Sequence, residues 1–386
     1  MRVPKLPKNI INFIKAHELF CWTFIVFIVW NILLYGYEIV AIMRIPLGEY
    51  AITWKNILIS TWHHWDGGHY LSIAENGYQG VQYAFFPLLP LLIKGLHAIL
   101  GHSYALSGLI VTRLFAFGAL YMLLRLAHQE YDSIDKAKRI VIYLLAFPTA
   151  FFLFSVYTEP VFLFFIISAF FFARKGNWLL AGIFSFFAAL TRITGMILLP
   201  VLLLEYLDQI HFNLRKIRFD VLYLGFCLLG IGAYMVYCYV ATNNPLEFLA
   251  AQKAWTDSAA RISSPLPWTV FITETKKLIP FRISGGYSIN LLDYSAVVLT
   301  LITICAAIFM KSIRKSCALF VGLSLLLAVM SGSFVSMIRY VITIFPIFLV
   351  LGEWGKHKAF EFAYLFIALM LQANLIISFI YSWWVA

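Results

Sequence analysis

The chain is poor in charge. Asp, Glu, Lys and Arg make up 12% of its 386 residues, and only 18 residues are acidic, whereas a soluble domain carries about twice this share of charge. This shortage excludes a molecule whose whole surface faces water. The sequence is 62% hydrophobic, with a mean hydropathy of +0.86, in apolar runs long enough to be buried in a bilayer. We therefore predict a polytopic membrane protein.

Cysteine patterns and repeats are also missing. The five cysteines lie in apolar stretches without the spacing of metal ligands, which argues against a zinc site and a disulfide framework. We find no internal repeat, low-complexity tract or separate soluble domain, so residues 1–386 are predicted to form a single domain. The first apolar run, Leu19 to Met43, is longer than a signal-peptide core and no small-residue cleavage site follows it, so we predict a membrane helix there.

The apolar runs predict an all-α fold. Backbone groups in a hydrocarbon layer must be satisfied within each segment, and in continuous apolar runs only helices achieve this. We expect about eleven transmembrane helices, near Leu19 to Met43, Leu106 to His128, Arg139 to Val156, Pro160 to Ala173, Trp178 to Thr191, Gly195 to Ile210, Val221 to Ala241, Leu291 to Met310, Cys317 to Val335, Tyr340 to Trp354 and Phe360 to Trp383.

Basic residues predict the orientation of these helices. Phe85 to Leu100 is apolar but short and contains Pro87 and Pro90; if it crossed the membrane, the basic loop after His128 would move outside, so we predict an interfacial or re-entrant helix. With a cytoplasmic N-terminus, five basic clusters then fall on the cytoplasmic side, as the positive-inside rule requires. They are Lys136, Lys138, Arg139; Arg174, Lys175; Arg215, Lys216, Arg218; Lys311, Arg314, Lys315; and Lys356, Lys358.

Two long external segments follow from this orientation. The first, 44–104, carries the interfacial helix, and the second, 243–294, is too long to be a simple connector. Positive charges in the second segment break the positive-inside bias, which suggests binding of an anionic group. Trp255 and Trp268 in this segment are candidates for stacking on a sugar or an isoprenoid.

Asp66 is the residue most suggestive of chemistry. It lies in the stretch Trp62-His63-His64-Trp65-Asp66-Gly67-Gly68-His69-Tyr70. A carboxylate, three histidines and two glycines make this stretch unsuited to a lipid-facing helix. An exposed loop acid that caps a helix over Gly67 to Asn76 would also explain it. We favour a general base, because partial desolvation by the neighbouring tryptophans would raise its basicity.

The histidines around Asp66 permit a second interpretation. His63, His64 and His69 with Asp66 are possible metal ligands. Their spacing matches no strong metal motif, so we expect hydrogen bonding or aromatic packing instead. We predict no metal site and a metal-independent reaction, with a divalent cation as the alternative.

Three arginines in apolar sequence form a candidate anion site. Arg113, Arg192 and Arg339 each lie towards the external end of a predicted helix, where they would either snorkel to the interface or face a polar cavity. If they converge, their guanidinium groups could clamp a phosphate. Glu159 in the turn Tyr157-Thr158-Glu159-Pro160 is either a simple turn residue, a partner of one arginine, or a ligand for sugar hydroxyls.

These motifs resemble a known family. Trp65-Asp66, His69-Tyr70, Ile73-Ala74-Glu75, Gly77-Tyr78 and Ala84-Phe85-Phe86-Pro87 with Pro90 are similar to the first luminal loop of the PIG-V-like mannosyltransferases, which add the second mannose in GPI-anchor assembly. Tyr157-Thr158-Glu159, Thr191-Arg192 with Gly195, and Arg339-Tyr340 with Pro346 resemble later motifs of that family. The chain is shorter than eukaryotic members, and its interval Gln79 to Tyr83 lacks their acidic-His pair, which favours a compact prokaryotic relative with another acceptor.

The resemblance implies a GT-C glycosyltransferase fold and activity. Such an enzyme takes a hexose, here most simply mannose, from a polyprenyl-phosphate donor and transfers it to a lipid-linked or protein acceptor at the external face, or in the ER lumen of a eukaryote. By position, Asp66 would be the catalytic base and Arg113 the recurrent arginine of the second membrane helix. The rival interpretation is a transporter of a lipid or anionic solute. The expected donor and substrate site consists of Trp65, His69, Tyr70, Arg113, Glu159, Arg192, Gln252, Trp255, Arg339 and Tyr340.

Overall fold

The computed structural model describes residues 17–44, 57–258, 266–278 and 285–385, and within these ranges it leaves out the side chains of 44, 254–258, 277–278 and 285–290. The described residues form helices and turns without a strand, so the all-α prediction is confirmed. The α-helices are α1 Glu18–Arg44, α2 Asp66–Asn76, α3 Leu88–Leu100, α4 Tyr104–Tyr131, α5 Ile134–Ala146, α6 Glu159–Arg174, α7 Trp178–Thr191, α8 Leu198–Gln209, α9 Phe226–Thr242, α10 Glu247–Ser258, α11 Pro267–Leu278, α12 Gly285–Phe309, α13 Lys315–Val329, α14 Met337–Tyr340, α15 Pro346–Trp354 and α16 Lys358–Ile380.

Five helices among the described residues are long and apolar enough to cross a membrane, or six if the bent pair Met337–Thr343 and Pro346–Trp354 counts as one span. The number eleven stays a prediction. The helix α3 has 13 residues and is about 20 Å long, which is too short for a hydrocarbon core of about 30 Å. Because α7 and α8, which are predicted to cross, have only 14 and 12 residues, the non-spanning position of α3 stays a prediction.

Prolines correct two predicted helices. The helix predicted for Arg139 to Val156 ends at Ala146 and gives way to a 3-10 turn at Ala150–Leu153, because Pro148 has no N–H to continue the hydrogen-bond ladder. The helix predicted for Tyr340 to Trp354 bends by 85° before Pro346. The helix predicted for Cys317 to Val335 ends earlier, at Val329.

The helix α6 forms the centre of the molecule. It is apolar almost all round and buried along most of its length, as expected for a helix surrounded by others. It packs against α4 on one side and α7 on the other, and α7 packs against α9. Glu159 begins α6 and Arg192 follows the end of α7, so this hairpin brings both residues to the same end of the bundle.

The opposite end of the hairpin is held by buried charge. The Arg174 guanidinium, 1% exposed, contacts Glu130 at 2.8 Å and also pairs with Glu205. Arg314 contacts the same two carboxylates at 3.2 and 3.1 Å, and Lys136 pairs with Glu353. Basic residues from three of the predicted cytoplasmic clusters thus meet acids at this end; its cytoplasmic location remains a prediction.

The predicted external segments contain helices. The described part of 44–104 holds α2, α3 and a 3-10 turn at Gly80–Ala84, and the described part of 243–294 holds α10, α11 and the beginning of α12. Residues 45–56, 259–265 and 279–284 of these segments lie outside the described residues.

Candidate active site

The backbone around Asp66 is tightly constrained. Asp66 is the first residue of α2, and Trp65 before it adopts the left-handed region with φ 55°, which is costly for a bulky residue and is found where surrounding contacts enforce it. The Val156 amide donates to the Trp62 carbonyl at 2.9 Å, and the Tyr157 hydroxyl donates to the His64 carbonyl at 3.0 Å. These contacts therefore fix the backbone position from which the Asp66 side chain extends.

A glycine allows this close approach. A Cβ on Gly67 would lie 3.2 Å from the Val156 carbonyl oxygen and 3.3 Å from His63 Cβ, which is tighter than ordinary packing. The first turn of α2 thus rests directly on the chain that leads into α6.

A buried acid supports the same segment from α1. Glu38 is fully buried and accepts hydrogen bonds from the Thr61 hydroxyl and, at 2.9 Å, from the Trp62 indole N–H. The sequence analysis missed this residue, although a single acid within the apolar run Leu19 to Met43 is a signal, since a charge at membrane depth needs a partner.

Asp66 is the first member of a four-residue ionic chain. Its Oδ2 accepts from Arg339 Nη1 at 2.9 Å; Arg339 Nε lies 3.3 Å from Glu159 Oε1, and Arg192 Nη1 donates to that same oxygen at 3.0 Å. The Glu159 side chain is 1% exposed and that of Arg339 8%, whereas the side chains of Asp66 and Arg192 are 29% and 18% exposed. The two buried members therefore hold the two accessible ones in place.

Aromatic rings surround the buried cation. Arg339 lies 5.5 Å from the ring centres of Tyr157 and Tyr340, and Arg192 lies 5.1 Å from Tyr340. Cation–π contacts of this kind stabilise a guanidinium group that is shielded from water. Tyr70 is also buried beside Asp66, and burial, reinforced by the Asp66 charge, raises the pKa of its phenol, so Tyr70 stays neutral.

The short helix α14 that carries Arg339 is clamped by Asp293. This carboxylate, on α12, is 2% exposed and accepts from the backbone N–H groups of Ser336 and Ile338 at 3.2 and 2.9 Å. These amides begin α14 and have no partner within the helix. On the other side, the Thr149 hydroxyl donates to the Ile338 carbonyl at 2.8 Å. Sequence reasoning missed Asp293, which in the sequence is only one acid near the start of an apolar run.

We expect Asp293→Ala to lower the stability of the protein. The change leaves two buried amides without acceptors, at about 1 to 3 kcal/mol for each, and frees the segment that positions Arg339. Thermal unfolding of the purified protein should show a lower midpoint, with a smaller decrease for Asp293→Asn, which keeps one acceptor oxygen. Asp135→Ala, at an exposed acid in the first turn of α5, is the matched control; an equal decrease there would refute the clamp.

The predicted site residues are only partly brought together. Asp66, Glu159, Arg192, Arg339 and Tyr340 form the cluster described above, with Tyr70 beside it. Glu159 is thus a partner of arginines, one of the roles considered for it.

Arg113 is not part of this cluster. Its guanidinium donates to the Tyr35 hydroxyl at 2.6 Å and lies 3.9 Å from the Phe154 ring centre. Of the three arginines, the structure joins Arg192 and Arg339 through Glu159, whereas the contacts of Arg113 are with Tyr35 and Phe154; a role of Arg113 in donor binding stays a prediction.

The remaining predicted residues lie around the cluster or outside the described part. The Trp65 ring packs edge-on against Trp384 at 5.2 Å, and His69 stacks on Phe85 at 4.9 Å. Gln252 is exposed on α10. Trp255 belongs to the same helix, but its side chain lies outside the described residues.

The described histidines near Asp66 pack against other side chains and do not cluster as metal ligands would. His64 lies edge-on to Phe379 at 5.6 Å and 3.2 Å from the Ser382 hydroxyl. Burial, with the neighbouring His63, lowers the pKa of His64 to about 4, so its ring is neutral at pH 7. Among the described residues, no group of three or more His, Cys, Asp or Glu is placed to hold a metal ion.

Comparisons with known proteins give weak structural and clear family similarity. A search of curated proteins found no match. The chain is similar to the Archaeoglobus fulgidus oligosaccharyltransferase in the apo form, with 12% identity, a TM-score of 0.45, and coverage of 95% of this chain and 56% of that chain. It is also similar to oligosaccharyltransferase AglB of the same organism, in complex with an inhibitory peptide and a dolichol-phosphate, with 12% identity, a TM-score of 0.41, and coverage of 94% of this chain and 55% of that chain. For ArnT from Cupriavidus metallidurans bound to undecaprenyl phosphate, the identity is 11%, the TM-score is 0.39, and the alignment covers 90% of this chain and 78% of that chain.

The chain spans about half the length of the oligosaccharyltransferase. The family model of the PIG-V mannosyltransferases matches residues 9–258, which is more than half of the 386 residues. The matched region contains Asp66, Glu159 and Arg192. The resemblance found in the motifs is confirmed, and the chain belongs to the mannosyltransferase (PIG-V) family.

Proposed function

We propose that this protein transfers mannose from a polyprenyl-phosphate donor to a hydroxyl group of a lipid-linked or protein acceptor, at the external face of the cell membrane. The observation that carries the proposal is the ionic chain Asp66–Arg339–Glu159–Arg192, in which the partly exposed Asp66 carboxylate pairs with Arg339 and the buried Glu159 pairs with both arginines. Membership of a mannosyltransferase family supports the reaction class.

Asp66 acts as the general base. One oxygen, Oδ2, is held by Arg339, while Oδ1 accepts no hydrogen bond from the described residues. Oδ1 is therefore available to an acceptor hydroxyl. As the acceptor oxygen attacks the anomeric carbon, Asp66 takes its proton, and a base within hydrogen-bond reach is what this step requires.

The arginines stabilise the leaving group. As the acceptor oxygen forms its bond to the anomeric carbon, the bond to the phosphate oxygen breaks and polyprenyl phosphate departs with the electron pair. The partly exposed Arg192 binds this anion, and Arg339, held between Asp66 and Glu159, adds positive charge behind it; preorganised cations are most effective where charge develops in the transition state. The direct displacement inverts the anomeric configuration and requires neither a metal nor a separate acid.

The decisive experiment supplies the donor directly. Membranes that contain the protein are incubated with radiolabelled polyprenyl-phosphate mannose, and the products are separated by extraction and chromatography. We expect label in a covalent acceptor product, unchanged by EDTA. Membranes without the protein are the control. Label that crosses the membrane without entering a product would instead identify a transporter, and no labelled product with this donor would refute the proposed transfer.

A further inference from the structure

The segment between α8 and α9 carries cations without partners. Arg215, Lys216 and Arg218 are all exposed, and none contacts a carboxylate of the described residues. Several other basic groups at this end are paired, such as Lys138 with Glu18 at 3.0 Å and the Arg174 network, whereas Lys356 and Lys358 are exposed as these three are. Clustered positive charge of this kind attracts anions.

These cations line a cavity. It is an open and mostly polar pocket of about 520 Å³, and its wall includes Trp178, Tyr206 and Gln209 together with the three cations. This volume lies in the range of ligand sites. We call it the basic cavity.

One carboxylate also lines the basic cavity, but it is already engaged. The Tyr206 hydroxyl donates to Asp220 Oδ1 at 2.9 Å and accepts from the Arg218 backbone N–H at 2.9 Å. Tyr206 thus holds the wall together, and the three cations outnumber the single acid in the lining. The excess charge fits an anion.

Exposed apolar side chains flank the same cations. Leu214 is 69% exposed, Phe219 91% and Leu222 68%, which would be costly in water. A candidate membrane span begins at Phe219, and insertion of this span would place these side chains at the height where lipid head groups meet acyl chains. Alternating cations and large apolar residues are typical of segments that lie in such an interface.

We propose that the basic cavity binds the phosphate head group of an anionic glycerophospholipid, with its acyl chains along Phe219 and Leu222. Guanidinium groups match phosphate oxygens in geometry as well as charge. The cavity is formed at the Trp178 end of the α6–α7 hairpin, whereas the ionic chain of Asp66 is formed at the Glu159 and Arg192 end. This lipid site is therefore separate from the proposed donor site and does not depend on it.

The test measures lipid binding by the purified full-length protein in neutral detergent. Short-chain phosphatidylglycerol is titrated against the neutral-head-group lipid phosphatidylcholine, and bound lipid is counted by native mass spectrometry. Soluble glycerol phosphate is the competitor that carries the head-group charge without acyl chains. The variants are Arg215→Gln/Lys216→Gln/Arg218→Gln, the charge-conserving Arg215→Lys/Lys216→Arg/Arg218→Lys, and Lys356→Gln/Lys358→Gln, whose exposed cations lie at the same end but outside the cavity.

We expect wild type to prefer phosphatidylglycerol and the triple Gln variant to lose about fivefold in affinity for each cation removed. The charge-conserving variant should keep most of the binding, as should Lys356→Gln/Lys358→Gln. Unchanged binding in the triple Gln variant would overturn the proposal. An equal loss in Lys356→Gln/Lys358→Gln would also overturn it, because it would indicate diffuse surface charge. Competition by glycerol phosphate as strong as that by the lipid would overturn it as well.

Discussion

Asp66→Asn should lower the turnover of mannose transfer by about a hundred- to ten-thousand-fold, the usual contribution of a general base. Asparagine has nearly the same shape and can still accept from Arg339, but it cannot take a proton from the acceptor hydroxyl. We therefore expect unchanged donor affinity and a loss of thermal stability smaller than that of Arg339→Gln, because Asp66 is partly exposed and Arg339 keeps Glu159 as its charged partner. Steady-state transfer with labelled polyprenyl-phosphate mannose, together with donor binding, checks both parts.

Glu75→Gln is the matched control for this change. Glu75 is an exposed acid on the same helix as Asp66, so it tests the loss of one negative charge without touching the ionic chain. Its turnover should stay close to that of wild type. Near-normal turnover in Asp66→Asn would exclude Asp66 as the base, even if the protein is confirmed as a mannosyltransferase.

Arg339→Gln should impair both reaction and stability. The substitution removes the cation between Asp66 and Glu159, and it leaves Glu159 buried with Arg192 as its remaining cationic partner. Loss of one member of a buried ion pair costs about 3 to 5 kcal/mol, and loss of a preorganised charge beside the leaving group costs about a hundred- to a thousand-fold in turnover. Thermal unfolding and transfer assays measure the two effects separately.

Arg314→Gln provides the comparison for Arg339. Arg314 also contacts two carboxylates, Glu130 and Glu205, but at the other end of the bundle, so its removal should leave turnover nearly unchanged. Arg339→Lys keeps the charge without the planar fork and should fall between wild type and Arg339→Gln. If Arg314→Gln reduced turnover as much as Arg339→Gln did, the loss would reflect general weakening of the fold.

The helical class was predictable because composition and run length are direct consequences of burial in lipid. The breaks were less so: Pro148 and Pro346 were visible in the sequence, but an apolar run that continues past a proline gives no sign of whether the helix kinks or ends there. The five candidate spans among the described residues also differ from eleven predicted crossings, since several apolar helices are short and their tilt and depth depend on tertiary packing.

The candidate site was predictable where one sequence motif contains the chemistry. Asp66 could be recognised as a candidate from the aromatic, histidine and glycine residues around it. The other three could be recognised as charged residues within apolar sequence: Glu159, Arg192 and Arg339. Their mutual pairing could not be read from spacing, because it depends on how separate helices pack. Arg113 has the same sequence signature as Arg192, yet its helix directs it to Tyr35 and Phe154. Glu38 acts through side-chain hydrogen bonds with Thr61 and Trp62, and Asp293 acts through the backbone amides of Ser336 and Ile338; only tertiary structure creates these contacts.

The contact between Asp66 and Arg339 joins residues 273 positions apart, and this separation sets the order in which the protein becomes competent during synthesis. A nascent chain that has already inserted Asp66, Glu159 and Arg192 still lacks the cation that links the first two. The proposed base and the proposed anion site are therefore joined only when the last third of the chain, which contains Arg339, has entered the membrane. Partially synthesised or truncated chains that lack Arg339 would carry the Asp66 carboxylate without its cationic partner.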